Sequence, residues 1–219
     1  MFLIHNVGGI KMKNEEIGKA LVELRKEKKR NFNQTIDLII NLKKYDFKKN
    51  PLNLFINIPH RIKEKKICAF LEVKNKNVET ITKEEFKKYS DKKELKKLVK
   101  KFDFFIAQAI LMPKVATTFG RFLGPVGKMP SPQLGVLAEA NEKTINELKE
   151  KINNSIKIRA KESSIKLAIG KEDMKDEEII ENILAVYSVI LKALPRESDN
   201  IKNLEIKFTM SKPKKISIK

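Results

Sequence analysis

The chain has one cysteine, Cys68, two histidines, His5 and His60, and no tryptophan in 219 residues. A single thiol excludes an intrachain disulfide and cannot furnish a zinc finger or knuckle, and it fits a reducing cytoplasm. Two histidines far apart in sequence leave little from which to build a metal centre or a Ser/His relay, so neither catalysis nor a cofactor is expected. No apolar run approaches the ~20 residues of a membrane span. The opening MFLIHNVGGI is apolar but lacks the basic start and small-residue cleavage site of a secretory leader, so no membrane partner is expected. Acid is also short, with 28 Asp and Glu against 47 Lys and Arg, a net charge of +19 and a pI near 9.8. Self-repulsion on this scale points to a polyanionic partner, of which phosphate backbones are the usual kind.

The hydrophobic fraction of 41% can supply real cores in one large or two modest domains. KNEEIGKALVELRKEKKR has Ile17, Leu21 and Leu24 at helical spacing and ends in a basic cluster, Lys28, Lys29 and Arg30. Asn33 then reads as the N-cap of a second helix that would bury Ile36, Ile39 and Ile40. Alternation of Leu52, Leu54, Ile56 and Ile58 predicts a strand with one buried face. ICAFLEV, Ile67 to Val73, is nearly continuous in apolar residues, as in strands buried on both faces.

Thr82 with Glu85 and Asp91 with Glu94 are capping boxes, which start short helices at about Lys83 and Lys92. The lysine-rich span from Lys83 to Lys101 turns Phe86, Tyr89, Leu95 and Leu98 inward; its outer side is either a solvated face or a polyanion contact. Phe104 to Ile106 form a further buried strand, stopped by Pro113. ANEKTINELKEKIN is a helix, and SIKIRA and SIKLAIG flank a polar turn as a hairpin. DEEIIENILAVYSVILKAL is the longest helix, ended by Pro195, and LEIKFTMSKPKKISIK is an alternating strand interrupted near Pro213.

These elements sort into two groups. The fold class expected is α/β with α+β: a discontinuous α+β domain, residues 1–62 and 155–219, carries a small antiparallel sheet with helices, and an α/β domain, residues 63–154, is inserted into it. The loop FLGPVGKMPSP, Phe122 to Pro132, superficially suggests a phosphate loop. A P-loop needs an early glycine where Phe122 stands and a hydroxyl where Met129 stands, so the nucleotide reading is rejected.

RNFNQTIDLI, DFFIAQAILMP, FLGPVGKMPSP, KLAIGKEDM and IKFTMSKP, in this order between Asn14 and Lys215, together resemble the archaeal type of the ribosomal protein L-one family. The resemblance implies a Rossmann-like inserted domain and a discontinuous domain that carries the main RNA site. It implies a large-subunit protein that binds the stalk junction of large-subunit rRNA, moves with the stalk as deacylated tRNA leaves the exit site, and represses its own mRNA. The family's RNA surface falls on Lys29, Arg30, Phe32, Gln34 and Thr35, on Lys166 and Lys171, and on Thr209, Met210, Ser211 and Lys212, with Lys128 as a secondary contact. Lysines would supply sequence-independent attraction to phosphates, while hydroxyls, amides and an apolar platform would meet riboses and exposed bases. The competing readings are an RNA-processing enzyme, which would need clustered carboxylates, and a general nucleic-acid-binding protein, which would not prefer one RNA.

Three departures from the family pattern carry expectations. Ser211 stands where glycine is typical, and a positive φ there would cost on the order of 1 kcal/mol. Only KNKN separates ICAFLEV from VETI, too little for a helical crossover, so VETI is expected to be unpaired or antiparallel. Residues before Met12 have no counterpart, and Gly8-Gly9 is codable by a ribosome-binding sequence, so translation is expected to begin at Met12.

Overall fold

A computed structural model of the chain describes residues 14–47, 50–160 and 162–217; the expected start at Met12 lies outside them. The elements begin with α1 (Asn14–Arg25), β1 (Thr35–Leu42), β2 (Leu52–Asn57), β3 (Ile67–Phe70), β4 (Glu79–Ile81), α2 (Lys92–Lys101) and β5 (Phe104–Gln108). They continue with α3 (Met112–Val126), β6 (Val136–Leu137), α4 (Glu142–Asn153), β7 (Ser155–Ala160), β8 (Ser164–Lys171), α5 (Asp176–Ala193), β9 (Ile201–Phe208) and β10 (Lys214–Ile216). The chain divides into two compact units, with boundaries between Ile62 and Lys63 and between Asn153 and Asn154.

The discontinuous unit is built on an antiparallel sheet of order β10-β9-β1-β8 and a separate antiparallel pair, β2-β7. Ile36, Leu38, Ile40 and Leu42 alternate inward from β1 and meet Ile17, Leu21 and Leu24 of α1 and Ile179, Ile183, Val186 and Ile190 of α5 in one core. The helix expected after Asn33 is therefore a strand. Ile36, Ile39 and Ile40 mimic helical spacing only because Ile39 sits on the outer face. The inward set has period two, and β-branched residues suit it. The expected hairpin from 155 to 171 is also corrected, because β7 pairs with β2 and β8 pairs with β1. The turn after Ala160 carries the chain from one sheet to the other.

The inserted unit is a parallel sheet of order β4-β3-β5-β6 with helices on its faces. Both faces of β3 are covered. Cys68 and Phe70 join Phe86, Phe105 and Phe119 in one layer, and Ile67 and Ala69 join Ile106, Ile145 and Ile152 in another. VETI is neither unpaired nor antiparallel, since Cys68, Ala69 and Phe70 pair in parallel with Glu79, Thr80 and Ile81. The short connection suffices for two reasons. Strand β3 ends at Phe70 rather than Val73, which lengthens the loop. The three paired residues also rise only ~7–10 Å, a distance a helix-free loop can retrace.

The stretch after Pro113 is a helix, α3, that runs into the glycine- and proline-rich motif. Pro113 lies in its first turn, where no intrahelical donor is required. Gly127, at φ 75°, ends it: Gly127 N–H donates to Gly124 O at 3.0 Å and Lys128 N–H to Leu123 O at 2.9 Å. GPVGK is thus a helix C-terminus, which offers carbonyls and not amides to its surroundings.

Cys68 is fully buried, and burial, then the Glu79 carboxylate, push its thiol up to about 12 against the opposing Lys101. The thiolate is the reacting species. The native chain at pH 8 should therefore resist a disulfide-exchange reagent and become stoichiometrically reactive once denatured. Rapid labelling of the folded chain would contradict this burial.

Candidate nucleic-acid interface

Three strands remote in sequence bring their ends together at one margin of the antiparallel sheet. Thr35 opens β1, Lys171 closes β8 directly opposite it, and Thr209 follows β9 on the other side. Thr35 N–H donates to Thr209 Oγ1 at 3.2 Å, and Thr209 N–H donates to Thr35 O at 3.1 Å. Gln34 lies beneath, buried, with Oε1 accepting from Met210 N–H and Nε2 donating to a Glu172 carboxylate oxygen, each at 3.3 Å. Glu172 N–H donates to Gln34 O at 2.9 Å. The chain just before β1 is thereby tied to the turn after β9 and the turn after β8.

The groups not used in this frame face solvent. Phe32 and Met210 are exposed large apolar side chains, at 51% and 60%, while every neighbouring apolar residue of β1 and β9 that points inward is buried. Lys28, Lys29, Arg30 and Lys212 are exposed, and Lys171 is half-buried. Lys166 projects from the outer face of β8, its Cα opposite Ile39, some ~13 Å along β1 from Thr35 at the strand's usual rise. On that face burial raises the Asp37 carboxyl, opposed by Lys207, its cross-strand partner.

Ser211 has no positive φ among the described residues, so the strain expected there does not arise. Its hydroxyl accepts from Phe208 N–H at 2.8 Å and its own N–H donates to Phe208 O at 3.1 Å, closing the turn that presents Thr209 and Met210. Serine supports this turn by hydrogen bonding. Lys128 belongs to the other unit, where its ammonium donates to Val99 O at 2.8 Å and Phe102 O at 2.7 Å and so caps the C-terminus of α2. A phosphate there would have one remaining donor to address.

Three residues of this construction carry no local sequence signal. Arg25, the last residue of α1, donates to Asp176 Oδ1 at 2.8 Å and to the carbonyls of Glu172 and Met174, each at 2.9 Å, holding the turn after β8. Glu172 fixes Gln34. Asn182 of α5, fully buried, donates to Ile169 O and His60 O, each at 2.9 Å, and accepts from His60 N–H at 3.0 Å. Ile169 is the extra residue of a β-bulge, since Ile36 pairs with Gly170 and Asp37 with Ala168. Asn182 therefore holds the bulged carbonyl two residues before Lys171. Nothing but the fold relates position 25 or 182 to position 34.

Among the described residues no group of three or more His, Cys, Asp or Glu side chains could hold a metal, and no helix is long and apolar enough to cross a membrane. The fold and this margin define a two-unit α/β protein with a basic face framed by hydrogen bonds. The chain belongs to the Ribosomal protein L1p/L10e family, whose model matches residues 24–212 and so spans every sequence-predicted contact. It is similar to the large ribosomal subunit protein uL1 of Nanoarchaeum equitans, 39% identical over 197 residues that cover 85% of this chain and 92% of that protein. The protein of the same description from Thermofilum pendens is 38% identical, covering 93% and 92%, and that from Thermococcus kodakarensis is 36% identical, covering 90% and 96%.

Proposed function

We propose that this protein is a non-enzymatic constituent of the large ribosomal subunit, located on cytoplasmic ribosomes. It binds the stalk junction of large-subunit rRNA through the margin formed by Lys29, Arg30, Phe32, Gln34, Thr35, Lys171 and Thr209 to Lys212, with Lys166 reaching flanking phosphate. The observation that carries this reading is the hydrogen-bonded union of Gln34 and Thr35 with Thr209 and Met210, which sets two exposed apolar side chains beside basic and hydroxyl groups. An apolar platform for splayed bases, hydroxyls for riboses and lysines for phosphates is the combination that structured RNA calls for. In the finer reading the protein also contacts exit-site tRNA as it is released, and represses translation of its own mRNA by binding an RNA that mimics the junction.

Met210 is the point to test. Met210→Asp places a carboxylate on the platform while its backbone bond to Gln34 is kept. Specific affinity for the junction fragment should fall by ~1–3 kcal/mol, with circular dichroism unchanged. Unaltered affinity, measured by fluorescence anisotropy, would remove Met210 from the interface.

A further inference from the structure

The inserted unit has a charged surface that its own folding does not explain. Helix α2 turns Leu95, Leu98 and Val99 into the core and leaves Lys92, Lys93, Lys96 and Lys100 exposed. The electrostatic needs of the helix are met by other groups. Asp91 caps its N-terminus through Lys93 N–H at 3.2 Å, and Lys128 covers the Val99 and Phe102 carbonyls at its C-terminus. Glu94, the one acid within α2, pairs with Lys97 at 2.7 Å, and Glu79 pairs with Lys101 at 2.5 Å. Among the described residues, no ion pair involves Lys92, Lys96 or Lys100.

Lys92, Lys96 and Lys100 stand at i, i+4 and i+8, so they form one row along the helix. Like charges at that spacing weaken a helix, and the row is therefore a cost to the fold.

We propose that the Lys92–Lys96–Lys100 row, with Lys93 beside it, is a second nucleic-acid contact that grips the phosphate backbone of double-stranded RNA. The row advances ~6 Å per step along the helix axis, so its ammonium groups are strung out in a line, as the charges of a phosphate backbone are. A membrane surface fits less well, because the apolar face that would enter lipid is already buried in the core. Choosing RNA as the polyanion rests on the ribosomal reading above, whereas the row itself is independent of the Met210 margin.

The test uses the full-length chain and a uniform RNA duplex lacking the junction, titrated at several salt concentrations. Converting all three lysines to glutamine should lower the logarithmic salt slope by ~2–3, at about 0.9 per phosphate contact, and weaken duplex binding roughly tenfold or more at low salt. The triple arginine variant should restore the slope, and thermal melting should show both variants folded. An unchanged slope in the glutamine variant overturns the proposal. So does equal loss of binding to phosphatidylserine vesicles that the wild type binds as tightly as duplex, which would make the row a membrane contact. The triple glutamine variant should keep its preference for the junction fragment over an unrelated stem-loop, whereas failure of the ribosomal reading would remove that preference from the wild type, so the two failures are distinguishable.

Discussion

Asn182→Leu should destabilise the discontinuous unit by about 3–5 kcal/mol, although leucine keeps asparagine's branching at Cγ and leaves no cavity. Asn182 satisfies three backbone groups in the interior: the carbonyls of Ile169 and His60 and the N–H of His60. Each buried polar group left unpaired costs roughly 1–3 kcal/mol, and the carbonyl of a bulged residue has no ladder partner to fall back on. The consequence reaches the proposed interface, because the bulge sets the path of the chain into Lys171 beside Thr35. Urea unfolding should show the loss of stability, and residual folded protein should bind the junction fragment more weakly. A variant within ~0.5 kcal/mol of wild type, the range of an ordinary surface change, would contradict this role for the asparagine.

Phe119→Ala should cost ~3–5 kcal/mol in the inserted unit, the range for removing a fully buried phenylalanine. Its ring lies 4.8 Å from that of Phe70, 5.1 Å from Phe86 and 6.0 Å from Tyr89, at the centre of the layer between the parallel sheet and helices α2 and α3. Leucine at this position should recover part of the loss by filling the space. Where both units remain folded, junction binding should be unchanged, since the proposed margin lies wholly in the discontinuous unit. Loss of specific binding in step with Phe119→Ala would place part of that site in the inserted unit.

Strongly patterned segments were legible in advance. The helix over Asp176–Ala193 follows from its apolar face and the proline after it, and strand β3 from its unbroken apolar run. Sequence pattern and structure diverge where two periods fit the same residues, or where distant chain decides the pairing. Ile39, apolar on an exposed face, made β1 look helical. SIKIRA and SIKLAIG resemble one hairpin because proximity in sequence usually means pairing, yet each pairs with a strand about 100 or more positions upstream. Helix α3 is masked in the sequence by Pro113, in its first turn where no donor is needed, and by Pro125, which removes one intrahelical donor close to the helix end.

The site divides in the same way. Phe32, Met210 and the basic residues stand out by chemical type and by the family resemblance, and the structure places Phe32 and Met210 on exposed chain joined through Gln34. Arg25, Glu172 and Asn182 shape that margin through bonds to residues between 13 and 151 positions away, which no window along the chain can show.

Competition binding across a salt titration tests the central claim most directly, with the stalk-junction rRNA fragment set against an unrelated stem-loop of equal length. The account predicts that both affinities fall with salt while the preference for the junction persists, because platform and hydroxyl contacts remain when phosphate attraction is screened. Equal affinities at every salt concentration would contradict it and leave only a general polyanion binder.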